Sequence, residues 1–242
     1  MHPVLVTLGP VTISTYGAVL AVAFLLAIRL ASHATARTPT PLGPLSSAAI
    51  VDWACGALLG GIVGGRLFYV VGNWEAYRAQ PFEILALWHG GLIWYGGLLG
   101  GVVATAWYLR RRGFAVLPGL DQVVPFVAFG HALGRIGCFF NGCCLGKPGL
   151  LVPVQLIESA GLLALYVWLR GLQTPVHLRH PGRVFGVYLV SYGAMRWLLE
   201  SWRDQPLLWA GWTLQQLISI PLILFGLYLV RCQAPKTLAP PR

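Results

Sequence analysis

Arg66, Arg135 and Arg196 lie within apolar stretches of this chain. A charged side chain at mid-membrane costs about 2.5–3.5 kcal/mol on insertion scales, so such residues are functional or paired. The planar guanidinium fork binds a phosphate through two parallel hydrogen bonds. A phospholipid head group is the most available anion at that depth. Spacing sharpens the reading. Arg196 and Glu200 are four residues apart, so they share a helix face, and Tyr192 lies one turn earlier on it. His131, Arg135 and Cys138 make a similar stripe. Two chemistries fit these residues. The arginines either pair with Glu158 and Glu200 and hold a helix bundle together, or they build an anion site open to the outer leaflet.

A second group is sulfur. Cys138, Cys143 and Cys144 crowd one short segment, while Cys55 and Cys232 stand apart. The spacing makes neither a CxxC pair nor a zinc-type array, and no metal or other cofactor is expected. On an oxidising face, Cys138 joined to Cys143 or Cys144 would brace the segment as a disulfide. Inert buried thiols, and redox or metal chemistry, are the alternatives.

The elements that must position these groups follow from composition. Of 242 residues, 57% are hydrophobic and only 10% charged, against roughly 25% charged in soluble domains. So few charges cannot make a water-facing surface, so the bilayer is the solvent for most of the exterior. A spanning helix takes about 20 apolar residues. The apolar runs are 14–31, 48–71, 92–109, 116–139, 152–169, 184–199 and 212–230. The fold class expected is an all-α integral membrane protein of about seven spans, with one domain over residues 1–242. The net charge of +10 is spread in short clusters at the ends of runs, which read as topology signals rather than a nucleic-acid surface. With the N-terminus outside, inner loops hold 11 of the 17 basic residues, among them Arg37, Arg110, Arg111, Arg112, Arg170, Lys236 and Arg242. That predicts N-out and C-in, with a short head on the outer side. The first run lacks a basic leader and a cleavage site, so it is expected to remain. Glycines repeat every four residues at 56/60/64, 61/65, 96/100 and 97/101, the small-xxx-small pattern of close helix contact in lipid.

The segment Gly134-Arg135-Ile136-Gly137-Cys138-Phe139-Phe140-Asn141-Gly142-Cys143-Cys144-Leu145-Gly146 resembles the signature of the prolipoprotein diacylglyceryl transferases, G-R-x-G-N-F-x-N-G-E-x-x-G. Other pieces follow in that family's order: Tyr16-Gly17, Gly64-Gly65-Arg66, Gly90-Gly91-Leu92 with Gly96-Gly97-Leu98, Pro153 to Glu158, and Tyr192-Gly193 through Arg196 and Glu200 to Arg203. The resemblance implies an enzyme of the bacterial cytoplasmic membrane whose site faces the periplasmic leaflet. It implies transfer of the diacylglyceryl group of phosphatidylglycerol to the lipobox cysteine of a secreted prolipoprotein, with release of glycerol phosphate. No cofactor or nucleic acid takes part, and a monomer is expected. Arg135 and Arg196 would stabilise the phosphate, with Arg66 a structural or supporting partner. Tyr16, Tyr192 and Asn141 would donate to head-group oxygens, and Glu200 would orient Arg196. Gly146, Gln155 and Glu158 complete the expected binding residues.

The chain departs from that pattern in three places. Tyr95 stands where the family has a histidine proposed as the base, and His89, before the first glycine pair, is the substitute candidate, with His131 another. Cys138 and Cys143 replace the signature Asn and Glu. Only Lys147 to Val152 separates the signature from the next span, where the family often carries a larger insertion. Two readings compete with transfer: a membrane thiol oxidoreductase using the three cysteines, and a lipid transporter on the same bundle.

Overall fold

A computed structural model describes residues 4–8, 11–35, 46–87, 90–149, 151–203, 205–209 and 211–232. His89, Arg37, Lys236 and Arg242 lie outside the described residues. The chain divides into two compact units, one of Met1–Pro44 with Leu117–Arg242 and one of Leu45–Val116.

The smaller unit is a helix pair. Helix α2 (Ser47–Gly72) starts where the Ser46 hydroxyl accepts from the Ala49 N–H at 3.1 Å, one of the donors a helix start leaves unsatisfied. A short helix α3 (Trp74–Ala79) and a 3-10 turn (Pro81–Leu85) lead to α4 (Trp94–Arg111). Glycine sets the contact. A Cβ on Gly100 would lie 2.1 Å from the Gly60 carbonyl oxygen, and one on Gly64 would lie 2.3 Å from that of Gly96. The repeats at 60/64 and 96/100 therefore face each other, and backbone touches backbone. Gly56 meets nothing within 4 Å, so it is not part of that contact.

The larger unit opens with an antiparallel hairpin, β1 (Val4–Leu8) and β2 (Val11–Ser14), which leads into α1 (Thr15–Thr35). It continues with α5 (Val116–Asn141), α6 (Val154–Leu172), α7 (Pro175–Leu178) and α8 (Arg183–Glu200). A second hairpin, β3 (Leu207–Trp209) with β4 (Trp212–Thr213), precedes α9 (Leu214–Cys232). Neither hairpin is expected from hydropathy alone. The β-branched residues around Gly9-Pro10 are the strand-and-turn signal that a span count passes over.

Small residues again decide the packing. The Ser159 hydroxyl donates to the Ala132 carbonyl at 2.9 Å and ties α6 to α5. A Cβ on Gly186 would lie 2.8 Å from the Gly226 carbonyl oxygen, so α8 and α9 meet along their backbones. At the N-terminal end of α8, the buried carboxylate of Asp121 accepts from the N–H groups of Gly182 (2.6 Å) and Phe185 (2.8 Å). A cap supplied from α5 thus satisfies donors that the helix itself cannot. Asp121 is a structural residue that the sequence reading does not select.

Polarity is inverted relative to a soluble protein. Leu25, Val63 and Leu224 are 65%, 66% and 61% exposed, while Gln155 and Glu158 are 0% exposed. Exposed apolar faces around a polar interior mean that lipid is the solvent. Helices α1, α2, α5 and α9 are long and apolar enough to cross a membrane. At 18 or 19 residues, α4, α6 and α8 are each about 27 Å long. The chain is an all-α membrane protein, with two small hairpins at helix ends among the described residues.

The α2–α4 contact gives a direct test. Gly100→Ala is expected to push the helices apart and cost about 1–3 kcal/mol, the range for overpacking. Gly56→Ala is expected to be neutral or slightly stabilising, since it has space and alanine is the better helix former. Thermal unfolding of the two variants in detergent reads the difference. Equal midpoints would contradict the glycine contact.

Candidate functional site

Three helix ends of the larger unit carry the polar interior: the C-terminal ends of α5 and α8 and the N-terminal end of α6. Arg135 lies two turns before the end of α5, and Arg196 lies one turn before the end of α8. Free carbonyls at helix C-termini favour cations there. Glu158, in the second turn of α6, supplies the counter-charge. One oxygen of its carboxylate lies 3.0 Å from Arg135 Nε and the other 3.0 Å from Arg203 Nη2. Glu200 pairs with Arg196 at 2.6 Å. Glu158, Glu200, Arg196 and Arg203 are all buried.

The rings of Tyr192 and His131 connect the two pairs. Their centroids are 5.1 Å apart, and Tyr188 stacks on Tyr192 at 5.8 Å. Arg135 and Arg196 both lie near enough to act electrostatically on His131 and on Tyr192. The guanidiniums of α5 and α8 therefore address one small volume.

The charges there do not balance. Three guanidiniums face two carboxylates, an excess of one positive charge. Nor are the contacts complete. Only Arg203 makes an aligned hydrogen bond to Glu158. Arg135 Nε and Arg196 Nη1 face Glu158 and Glu200 at ion-pair distance without hydrogen-bond alignment, while Arg203 Nε, the second Glu200 oxygen and Gln155 Oε1 are buried with no partner. Buried polar atoms are normally bonded, so a cluster of exceptions asks for a polar occupant.

The signature segment forms a turn that seals this end. Gly142 has φ +72°, and Cys144, at φ +59°, is the one non-glycine among the described residues in the left-handed region. The Cys143 N–H donates to the Cys138 carbonyl at 3.2 Å. Gln155, at the start of α6, donates to the Cys143 carbonyl at 2.8 Å. Gly146 bridges to Arg203 as an isolated antiparallel pair. The Lys147 N–H and ammonium donate to the Trp202 and Ser201 carbonyls at 2.8 and 3.0 Å. Asn141 ends α5, half-buried. Tyr16 of α1 packs on Gly137, where an added Cβ would meet its ring at 3.3 Å.

The cysteines correct one expectation. Cys138, Cys143 and Cys144 are free thiols, not a disulfide. Their sulfurs all lie within 4.8 Å of one another, whereas a disulfide holds its sulfurs about 2.05 Å apart. The Cys143 thiol is directed at the Cys138 carbonyl, 3.7 Å away.

Arg66 is a second correction. It is buried in the smaller unit, and carbonyls engage all five of its N–H groups. Nε donates to Ile84 at 2.9 Å, Nη1 to Gly91 at 3.1 Å and to Gly90, and Nη2 to Ala86 at 3.2 Å and to Glu83. The ring of Tyr77 lies 5.2 Å from the guanidinium carbon. A guanidinium has five N–H donors, so none is left for a substrate. Arg66 organises the loop of residues 83–91. The first glycine pair serves it. Gly90 and Gly91 have φ +78° and +82°, and a Cβ on Gly91 would lie 2.7 Å from Arg66 Nη1. Tyr95, half-buried in the first turn of α4, rests its ring on Trp94 at 5.2 Å. Arg203 is the site residue that the sequence reading leaves out of its selection. It continues the face of Tyr192, Arg196 and Glu200 beyond the helix end, and its spacing was the available signal.

If Glu158 holds two guanidiniums in place, Glu158→Gln is expected to destabilise the chain by about 3–5 kcal/mol, because it leaves buried cations unpaired. Unfolding in detergent checks this, and an unchanged midpoint would contradict the shared-carboxylate geometry.

The comparisons with known proteins point the same way. The family model for prolipoprotein diacylglyceryl transferase matches residues 3–232, running through both units. A Synechococcus elongatus protein named phosphatidylglycerol–prolipoprotein diacylglyceryl transferase is 34% identical over 250 residues, covering 93% of this chain and 84% of its own length. A Vibrio campbellii protein of the same name is 31% identical over 251 residues, covering 95% and 90%. A Polynucleobacter asymbioticus protein, again so named, is 33% identical over 203 residues, covering 75% of each. With its signature turn intact in outline and its relatives aligned along most of their length, this chain belongs to the prolipoprotein diacylglyceryl transferase family.

Proposed function

We propose that the chain transfers the diacylglyceryl group of phosphatidylglycerol to the lipobox cysteine of a secreted prolipoprotein. The observation that carries this is the cluster of Arg135, Arg196 and Arg203 against Glu158 and Glu200, with its one positive charge in excess and Arg203 Nε buried without a hydrogen-bond partner. A phosphodiester carries one negative charge and fits that excess. In the reaction the substrate thiolate attacks the glycerol carbon of the lipid. The carbon–sulfur bond forms, the carbon–oxygen bond to phosphate breaks, and glycerol phosphate leaves. The leaving phosphate changes from a singly charged diester toward a more highly charged monoester. Donors held in place by the protein are worth most where charge grows in the transition state. Arg135 and Arg196 take that role. Tyr16, Tyr192 and Asn141 donate to head-group oxygens, and Glu200 orients Arg196. Gln155, Glu158 and Gly146 hold the turn and the arginines on which the head group rests. The thiol proton goes to a base, for which the sequence offers Tyr95, His89 and His131 as candidates.

The placement proposed is a single domain, monomeric, of seven spans in the bacterial cytoplasmic membrane, N-out and C-in, with the arginine cluster toward the periplasmic leaflet. The basic residues support it. Arg170, Arg183 and Arg231 occupy the far ends of α6, α8 and α9 from the cluster, as a positive-inside arrangement requires. Neither thiol oxidation nor lipid transport is favoured by the family to which the chain belongs.

The test is purified protein with phosphatidylglycerol and a lipobox peptide, read by mass spectrometry. The peptide is expected to gain a diacylglyceryl mass on its cysteine. Arg135→Lys and Arg196→Lys are expected to lower turnover about 100-fold or more, since a point charge replaces a fork. Arg66→Lys is expected to lower stability first. Absence of the lipid adduct would overturn the reading.

A further inference from the structure

The three thiols of the signature turn are not needed by the transfer reaction, whose nucleophile belongs to the substrate. They are nonetheless gathered. Cys138 lies on the last turn of α5, and Cys143 and Cys144 follow beyond its end. The left-handed backbone at Gly142 and Cys144 folds the chain back, so that all three sulfurs come within 4.8 Å of one another. The turn is fixed from outside by Gln155 on the Cys143 carbonyl, by Lys147 on Ser201 and Trp202, and by the Gly146–Arg203 bridge. The sulfur set is therefore preorganised rather than assembled from a loose loop. It also has a way in, for Cys138 is buried, Cys143 is half-buried and Cys144 is exposed.

We propose that Cys138, Cys143 and Cys144 form a three-coordinate thiolate site for a soft monovalent cation, Cu(I). Thiolate ligands select Cu(I) and Zn(II) over harder ions. The donor count separates those two. Structural zinc takes four protein ligands, and among the described residues no further His, Cys, Asp or Glu joins this group. Three sulfurs bound in a plane at about 2.3 Å from a metal stand about 4 Å apart, which small side-chain rotations reach from the present spacing. The bound thiols release their protons to water. A cuprous ion with three thiolates is a dianion, and Arg135 and Arg203 beside Cys144 complement its charge. The site lies on the turn that carries Asn141 and Gly146, one helical turn beyond Arg135, so occupancy would also reshape the place assigned to the head group.

The experiment uses full-length protein in detergent with Cys55→Ser and Cys232→Ser, leaving only the three clustered thiols. Cu(I) is titrated under anaerobic, reducing conditions against a chromophoric cuprous chelator, with Zn(II) alone as a second arm. The expected result is about one Cu(I) retained per chain, with about three sulfur neighbours by X-ray absorption and much weaker Zn(II) retention. Cys138→Ser, Cys143→Ser and Cys144→Ser should each lower cuprous affinity at least tenfold. In the unmutated chain, bound Cu(I) should protect the three thiols from iodoacetamide, read peptide by peptide, which needs no variant to fold. Loss of the ion to the chelator, unprotected thiols, or retention that survives all three substitutions would overturn the proposal. So would tighter Zn(II) than Cu(I) binding. None of these readouts depends on transfer activity, so failure here leaves the lipid reaction to its own assay.

Discussion

The shared carboxylate of Glu158 is the interaction on which the rest of the larger unit depends. It brings one oxygen to Arg135 and the other to Arg203 in a place with almost no exposure to water. Charges in such a medium are costly unless paired, and this one side chain pairs cations from two different segments. Remove it and the C-terminal ends of α5 and α8 lose their common partner. The arrangement stops short of neutrality. Two carboxylates hold three guanidiniums, and several of their polar atoms stay without aligned partners. A cluster built only to hold helices together would be expected to close its own hydrogen bonds. One that leaves Arg203 Nε open, with a positive charge in excess, suits a visiting anion.

The fold serves that cluster from both directions. At the far end of the same helices, Asp121 caps α8 from α5 and fixes how the two lie together. Glycine at 186 and 226 lets α9 approach α8 along the backbone, and Gly161 meets Met195 across α6 and α8. At the near end, the signature turn is tied to α6 through Gln155 and to the segment after α8 through Gly146 and Lys147. The arginines thus project from rigid helices, and the turn that covers them is held on two sides. The smaller unit uses the same chemistry for a different purpose: Arg66 spends its whole donor set on the carbonyls of one loop. Arg66 and Arg135, of similar sequence context, therefore differ in what their donors find.

That difference marks the limit of what the sequence reveals. The helices were legible because apolar runs of membrane length have few alternatives, and their ends fall within about a turn of the expected ones. The glycine repeats were legible because close contact in lipid selects small residues. The arginine–carboxylate face of α8 was legible from its spacing, and its family resemblance from the ordered motifs. The hairpins were not, since short strands at a membrane edge leave no hydropathy signal. Arg66 and Arg135 look alike in sequence; only the path of the 83–91 loop shows that one is saturated. The cysteines left a disulfide, inert thiols and redox or metal chemistry open, and their side chains converge without bonding. Arg203 lies three residues past the end of α8, where its spacing from Glu200 was the one signal of the shared face.

The most direct measurement is an experimental structure of the full chain in a bilayer disc with phosphatidylglycerol. The account expects the lipid phosphate within hydrogen-bond distance of both Arg135 and Arg196, with Glu158 still bridging Arg135 and Arg203. A phosphate held elsewhere, out of hydrogen-bond reach of those two guanidiniums, would contradict it.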